Sequence, residues 1–245
     1  MKISHITDWI RKYALDNQRS SLVVGISGGI DSSVVSVLCA RTNMEVYSVS
    51  MPINQIPSQH NLSIMHGEWL ASKYPNVKHQ VIDLTNIYNT FNNVMAKEFD
   101  SEHSFANSKS RIRMIALHQI SGSKNGIVVG TGNKVEDFGV GFFTKYGDGG
   151  VDISPIADLL KTEVWNLGRE LGILQEIIDA PPTDGLWEDG RTDYDQLKGL
   201  TYQELEEAMM DNRSKHFKKY NQIRKPNLHK MKPIPIFKKD DHNAD

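Results

Sequence analysis

Cys39 is the only cysteine among the 245 residues of this chain, so no disulfide can form within it. That scarcity suits a reducing compartment, and Cys39, inside the apolar stretch Val34–Ala40, reads as a small core residue. No charge predominates: 28 Lys and Arg against 30 Asp and Glu give a formal net charge of −2, which supplies no global field for nucleic acid. No stretch approaches the ~18 apolar residues of a membrane span. The opening Met1-Lys2-Ile3-Ser4-His5 lacks the basic-then-apolar pattern of a secretion signal. Histidines with metal-binding spacing and cysteine pairs are both missing. His60 and His66, six apart on an expected helix, point to different sides, so structural zinc is set aside. There is no internal repeat and no low-complexity tract. These absences point to a cytoplasmic protein with no nucleic-acid and no membrane partner, long enough for one α/β domain with a substantial core.

What is present is concentrated first in Gly25-Ile26-Ser27-Gly28-Gly29-Ile30-Asp31-Ser32-Ser33, directly after the apolar run Leu22-Val23-Val24. This reads as a buried strand, a turn built almost wholly of Ser and Gly, and a helix start. A turn without bulky side chains lets backbone N–H groups close around an anion, and the helix N-terminus adds partial positive charge. Asp31 lies at the mouth of that cradle, where a carboxylate can hold Mg²⁺ bridging phosphate oxygens. The segment is neither a Walker A loop nor Gly-x-Gly-x-x-Gly. It predicts nucleotide chemistry that handles a pyrophosphate.

Around it, strands and helices alternate. An amphipathic helix opens the chain on Ile3, Ile6, Ile10, Tyr13 and Ala14. Strands are expected at Ser21–Ile26, Glu45–Met51, Val77–Leu84 and Gly126–Thr131. Helices are expected at Asp31–Arg41, from Pro57 through Lys73 with Ser58 as N-cap, at Ile87–Phe99, over 107–120 and near Lys161–Leu171. Such alternation predicts a Rossmann-like α/β fold, an open parallel sheet with helices on both faces, whose ligands sit beyond the carboxyl ends of the strands. The second half is more irregular. Gly139–Gly150 holds five glycines in twelve residues, Thr183–Gly199 is a polar loop, Thr201 caps a helix, and Arg213–Lys239 reads as a basic tail. A single domain with long functional loops fits this better than two.

Three further segments carry candidate chemistry. Asn107–Met114 is a dense basic start to an apolar helix, where Arg111 points away from Lys109 and Arg113. An arginine turned toward the protein meets an anion, either a ligand or an internal carboxylate. Thr131–Asp137 follows a strand end, placing a hydroxyl and the Glu136 carboxylate near a bound nucleotide and its metal. Phe142–Asp152 sets aromatics among glycines, the composition of a loop that covers a ligand and brings Lys145, Asp148 and Asp152 inward.

The Ser-Gly-Gly-x-Asp-Ser turn resembles the pyrophosphate loop of the ATP-pyrophosphatases, the adenylating enzymes of the adenine-nucleotide alpha-hydrolase-like fold. Four blocks in order, Gly25–Ser32, Asn107–Met114, Gly130–Asp152 and His229–Ile234, make the chain resemble the ammonia-dependent NAD synthetases from about Ser21 to Phe237. The resemblance implies a ligase that joins deamido-NAD, ATP and ammonia into NAD, AMP and pyrophosphate through an acyl-adenylate. It implies that Gly25, Ile26, Ser27, Gly28, Gly29, Ile30, Asp31 and Ser32 bind ATP phosphates, with Thr131, Lys161 and Thr183 as further ATP contacts. Arg111, Lys145, Asp152, His229 and Lys230 would bind deamido-NAD, and Asp31 and Glu136 would hold Mg²⁺. Asp31, Lys161 and Asp148 would serve catalysis, with Asp148 or Asp152 orienting ammonia.

The match has departures. Gly132-Asn133 stands where many bacterial members have Asp-His, and the stretch from Glu136 to Phe142 is one residue longer, which keeps Asp137 open as the alternative metal ligand. These 245 residues leave no room for the added amidase domain of glutamine-using members, so free ammonia or a separate ammonia donor is expected. The family's usual homodimer is expected, and one domain over 1–245, with an ATP-binding core at about 20–180 completed by 181–245. Two other readings stay in view: the same adenylation on another acceptor, and a nucleotide-binding sensor without catalysis.

Overall fold

Alternate residues of the first strand serve two different cores, and this sets the layering of the molecule. In β1 (Ser21–Gly25), Leu22 and Val24 pack into one cluster with α1 (Ile3–Asp16) and α2 (Ile30–Ala40), whereas Val23 packs into another on the opposite face. In the computed structural model, which describes residues 3–238, β1 lies inside a parallel sheet of order β3-β2-β1-β4. The remaining strands are β2 (Glu45–Ser50), β3 (Val77–Val81) and β4 (Gly126–Val128). Strands buried on both faces read as continuous apolar runs, as Leu22-Val23-Val24 does. The chain runs from β1 outward through β2 and β3, then returns to add β4 on the other side of β1. The order therefore reverses beside β1, and the Ser-Gly turn opens at that switch point.

Between the strands come α3 (Pro57–Lys73), α4 (Thr85–Met95) and α5 (Glu102–Ser123). After β4 a π-helix spans Lys134–Val140, followed by α6 (Lys161–Leu171), the short α7 (Gln175–Ile178) and α8 (Asp193–Gln196), α9 (Tyr202–Met210) and α10 (Phe217–Met231). A third cluster of Val135, Val140, Leu200, Tyr202, Leu205 and Tyr220 joins the π-helix to α9 and α10.

Several boundaries differ from the sequence reading. Pro57 begins α3 at its first position with Ile56 as N-cap, so Ser58 is already helical. The third strand stops at Val81 because Asp83 turns the chain, its Oδ1 accepting Thr85 N–H at 2.8 Å, and α4 starts and ends earlier than expected. The hydroxyl of Ser101 caps α5 well before residue 107. The fourth strand stops at Val128, and Val129 forms an isolated bridge to Ile153. Gly139 is not loop but part of the π-helix. The basic tail is largely a helix, α10, docked on its own chain, while Lys239 lies outside the described residues, as do Met1 and Lys2.

Candidate active site

The turn after β1 is held open by its own small side chains. Gly28 has φ of +89°, a conformation that favours glycine. Ser27 N–H donates to Ser32 Oγ at 3.2 Å, the two hydroxyls lie 3.0 Å apart, and Ser32 and Ser33 both donate to the Gly29 carbonyl at 3.0 Å. No side chain caps α2, so its leading amides stay available to an anion.

Asp31, in the first turn of α2, meets residues from two distant segments. Its Oδ2 accepts a hydrogen bond from Lys161 Nζ, and its Oδ1 accepts Asn133 Nδ2 at 3.1 Å. Lys161 also donates to Glu136 Oε1 at 2.9 Å. Asn133 is fully buried and caps the π-helix, its Oδ1 accepting the N–H groups of Val135 and Glu136, both at 3.1 Å. One amide thus orients both acids. Lys161 opens α6, whose start is fixed by Glu206 of α9, accepting Thr162 N–H at 3.0 Å and the Thr162 hydroxyl at 2.8 Å.

The site gathers acids that are largely shielded from solvent. Burial opposes the Lys161 charge, yet Asp31 and Glu136 hold its pKa far above the usual lysine value. Burial alone would raise Glu136, but the Lys161 ammonium and hydrogen bonds from Lys161 and Tyr202 keep it below its ordinary range. Asp31 is raised, by burial first, against the pull of Lys161. Asp137 is pushed up to about 8 by burial and by the charges of Glu136, Asp148 and Asp31. Glu136 is therefore the acid that shares a cation with Asp31, while Asp137 packs against Gly132.

Among the described residues, no group of three or more His, Cys, Asp or Glu side chains could hold a metal. Two hard carboxylates converging on one point nevertheless fit Mg²⁺, which is commonly held by one or two carboxylates together with substrate phosphates. Asp31 and Glu136 would supply those oxygens, beside the Ser-Gly turn.

The other expected residues make separate contacts. Asp148 accepts the Ser110 hydroxyl at 2.7 Å and Thr144 N–H at 3.0 Å, and desolvation of its carboxylate raises its pKa. Asp152 Oδ2 accepts Val128 N–H at 2.7 Å, tying the loop to β4. Arg111 Nε donates to the Lys145 carbonyl at 3.3 Å. Lys230 of α10 reaches the Phe143 carbonyl at 2.6 Å, and its neighbour His229 turns back to the Pro226 carbonyl at 3.0 Å. Thr183 lies in a separate loop, its hydroxyl donating to the Arg191 carbonyl at 3.2 Å, and Thr131 stands between β4 and the π-helix.

Arg111 is on the exposed side of α5. The inward cations are Lys109, which donates to the Leu186 carbonyl at 3.1 Å, and Arg113, whose Nε donates to the Met51 carbonyl at 2.9 Å. The buried stripe of Phe105, Ala106, Met114 and Leu117 sets the rotation of α5 and leaves Arg111 opposite. Asn133, Tyr202 and Asp193 were not foreseen. Only Asn133 carried a local signal, an N-cap residue ahead of an acidic turn.

A sequence model of the NAD synthase family matches residues 2–242. The NH(3)-dependent NAD(+) synthetase of Sulfurisphaera tokodaii is 33% identical over 264 residues, covering 97% of this chain and 90% of that protein. Among solved structures, the NMN synthetase from Francisella tularensis superposes with a TM-score of 0.87 at 30% identity, over 96% of each chain. The NH3-dependent NAD synthetase from Campylobacter jejuni, in complex with the nitrate ion, gives 0.74 at 27% identity, over 97% of this chain and 100% of that one.

Proposed function

This chain belongs to the NAD synthase family and makes NAD from deamido-NAD, ATP and ammonia, and we propose that it does so by adenylating the nicotinate carboxylate in the site around Asp31. The observation that carries the mechanism is the convergence of Asp31, Glu136 and Lys161 beside the Ser-Gly turn. The nicotinate carboxylate attacks the α-phosphorus of ATP, and the bond to the β-phosphate oxygen breaks to release pyrophosphate. Ammonia then attacks the acyl carbon, AMP leaves with the bonding pair, and the surplus proton passes to a base. The adenylate makes this possible because AMP leaves readily where oxide cannot.

The turn amides and Lys161 offset the charge that builds on the departing pyrophosphate. Mg²⁺, when bound by Asp31 and Glu136, supplies charge neutralisation there. Arg111, Lys145, Asp152, His229 and Lys230 bind the dinucleotide, Thr131 and Thr183 contact ATP, and Asp148 orients ammonia. Residues 1–245 act as one domain, with α9 and α10 completing the ATP-binding core through the π-helix. A cytoplasmic location accords with the free, buried Cys39. No helix among the described residues is long and apolar enough to cross a membrane. Ammonia comes free or from a separate donor protein. A homodimer is supported by an exposed apolar face on α4, where Ile87, Phe91 and Val94 share one side of the helix.

A second reading of the acceptor rests on the higher TM-score to the NMN synthetase: the same chemistry on nicotinate mononucleotide would yield NMN. The test is pyrophosphate release and product formation with Mg-ATP and ammonium, using deamido-NAD and nicotinate mononucleotide in parallel and glutamine as the control nitrogen donor. Turnover of deamido-NAD with ammonium alone is expected. A kcat/KM favouring the mononucleotide would reassign the acceptor, and ATP binding without turnover of either would leave a sensor.

A further inference from the structure

Tyr202 joins two carboxylates with one hydroxyl. Its oxygen lies 2.5 Å from Glu136 Oε1 and 2.7 Å from Asp193 Oδ2, both within hydrogen-bonding range. A phenol carries a single proton, so it donates to one of these oxygens and not to both. The second contact needs a proton of its own, otherwise two lone pairs face each other in a dry interior. Glu136 Oε1 already accepts from the Lys161 ammonium and is paired with a cation, which leaves Asp193 as the place for that proton. An independent observation agrees: Asp193 is 5% exposed and its Oδ1 is buried without a partner, a costly position for an ionised carboxylate and a milder one for a neutral acid.

We propose that Tyr202 and Asp193 are positioning residues for Glu136: protonated Asp193 donates to the phenol, the phenol donates to Glu136, and the chain fixes the carboxylate that faces the metal. The proposal rests on Glu136 being a ligand of Mg²⁺. Asp193 faces Glu136, Lys161, Tyr202 and Asp184. Burial and the Glu136 charge push it up to about 7, with Lys161 opposing, in keeping with a proton held near neutrality. The arrangement also links the substrate loop to the metal arm, because Asp193 N–H donates to the Pro182 carbonyl at 3.0 Å, next to Thr183. The Tyr202 ring packs edge-on against Trp165 at 5.8 Å between centroids, so a phenylalanine would keep the packing and lose only the hydrogen bonds.

The experiment measures Mn²⁺ binding by electron paramagnetic resonance on the full chain with a non-hydrolysable ATP analogue. The wild type is compared with Tyr202→Phe, Asp193→Leu and Asp193→Asn. Loss of a group that orients a metal ligand costs roughly 10–100-fold in affinity, so Tyr202→Phe and Asp193→Leu are expected to weaken Mn²⁺ by about tenfold or more. Asp193→Asn should restore binding to near the wild-type value, since its amide donates to the phenol as a protonated acid does. Infrared difference spectra of wild type against Asp193→Asn should show the carbonyl stretch of a protonated carboxyl only in the wild type. Unchanged affinity in Tyr202→Phe, an asparagine as damaging as the leucine, or the absence of that stretch overturns the proposal. A wild type that binds no Mn²⁺ overturns the ligand assignment and the proposal with it, while turnover of deamido-NAD by the same preparation would leave the function standing.

Discussion

Acidification should weaken this fold through His66. The ring is fully buried, with Nε2 2.8 Å from Ser36 Oγ and Nδ1 without a partner. Ser36 gives its own proton to the Ser33 carbonyl at 2.9 Å, so Nε2 of His66 is the donor and Nδ1 is the bare nitrogen. A second proton would land on Nδ1, where nothing receives it. Burial, with His79 adding, accordingly pushes the His66 pKa down to about 4. In an unfolded chain it titrates near ~6.5, so between the two values the folded state binds fewer protons. The stabilisation is complete above the unfolded pKa and is lost as pH falls toward the folded one. A gap of about 2.5 units at about 1.36 kcal/mol each amounts to roughly 3 kcal/mol. Asp137 and Asp193, whose folded pKa values are raised, run the other way, so the comparison has to be internal. Urea unfolding at a series of pH values from about 7 to about 4 would compare the wild type with His66→Gln, whose amide can still donate to Ser36 but cannot titrate. The wild type should lose about 3 kcal/mol more than the variant over that range. Parallel curves would refute the reasoning.

Lys161→Met leaves Asp31 and Glu136 facing each other unpaired, at a cost of about 3–5 kcal/mol, and it should abolish most pyrophosphate release. Thermal melting would show it, with part of the loss recovered by Mg²⁺; an unchanged melting temperature without Mg²⁺ counts against the pairing. Gly141 has φ of +71°, and a Cβ there would come within 2.5 Å of Asn227 Cβ on α10. Gly141→Ala should therefore cost about 1–3 kcal/mol and expose α10 to limited proteolysis. Asn133→Ala removes the π-helix cap and the hydrogen bond to Asp31, so it should cost about 1 kcal/mol of stability and weaken the Mg²⁺ dependence of nucleotide binding, read by calorimetry.

The parts of the fold that the sequence announced are those decided within a few residues. The Ser-Gly turn, Lys161 at the head of a helix, and Thr201 paired with Glu204 as a capping box all stand where local chemistry places them. The parts that escaped are decided by distant neighbours. Arg213–Lys239 looks like a solvated tail because it is basic and contains Pro226, yet Tyr220, Arg224 and Asn227 recur at helical spacing and all bond to backbone carbonyls of Gly139 or Val140. The inward turn of Lys109 and Arg113 follows from how α5 meets the sheet, which no window of sequence contains. Asp193 and Tyr202 look like an ordinary acid and an ordinary core aromatic until the fold sets them against Glu136.

The grip of α10 on the π-helix also bears on when the enzyme can exist. Its hydrogen bonds, Arg224 to Gly139 and Asn227 to Val140, join residues separated by 85 and 87 positions. During translation the Ser-Gly turn and its sheet emerge early, but the π-helix bearing Glu136 lacks its bonds to Arg224 and Asn227 until α10 has left the ribosome. A nascent or prematurely terminated chain would therefore hold a finished Ser-Gly turn with an incompletely braced π-helix, so quality control would meet a half-built site rather than a slow enzyme.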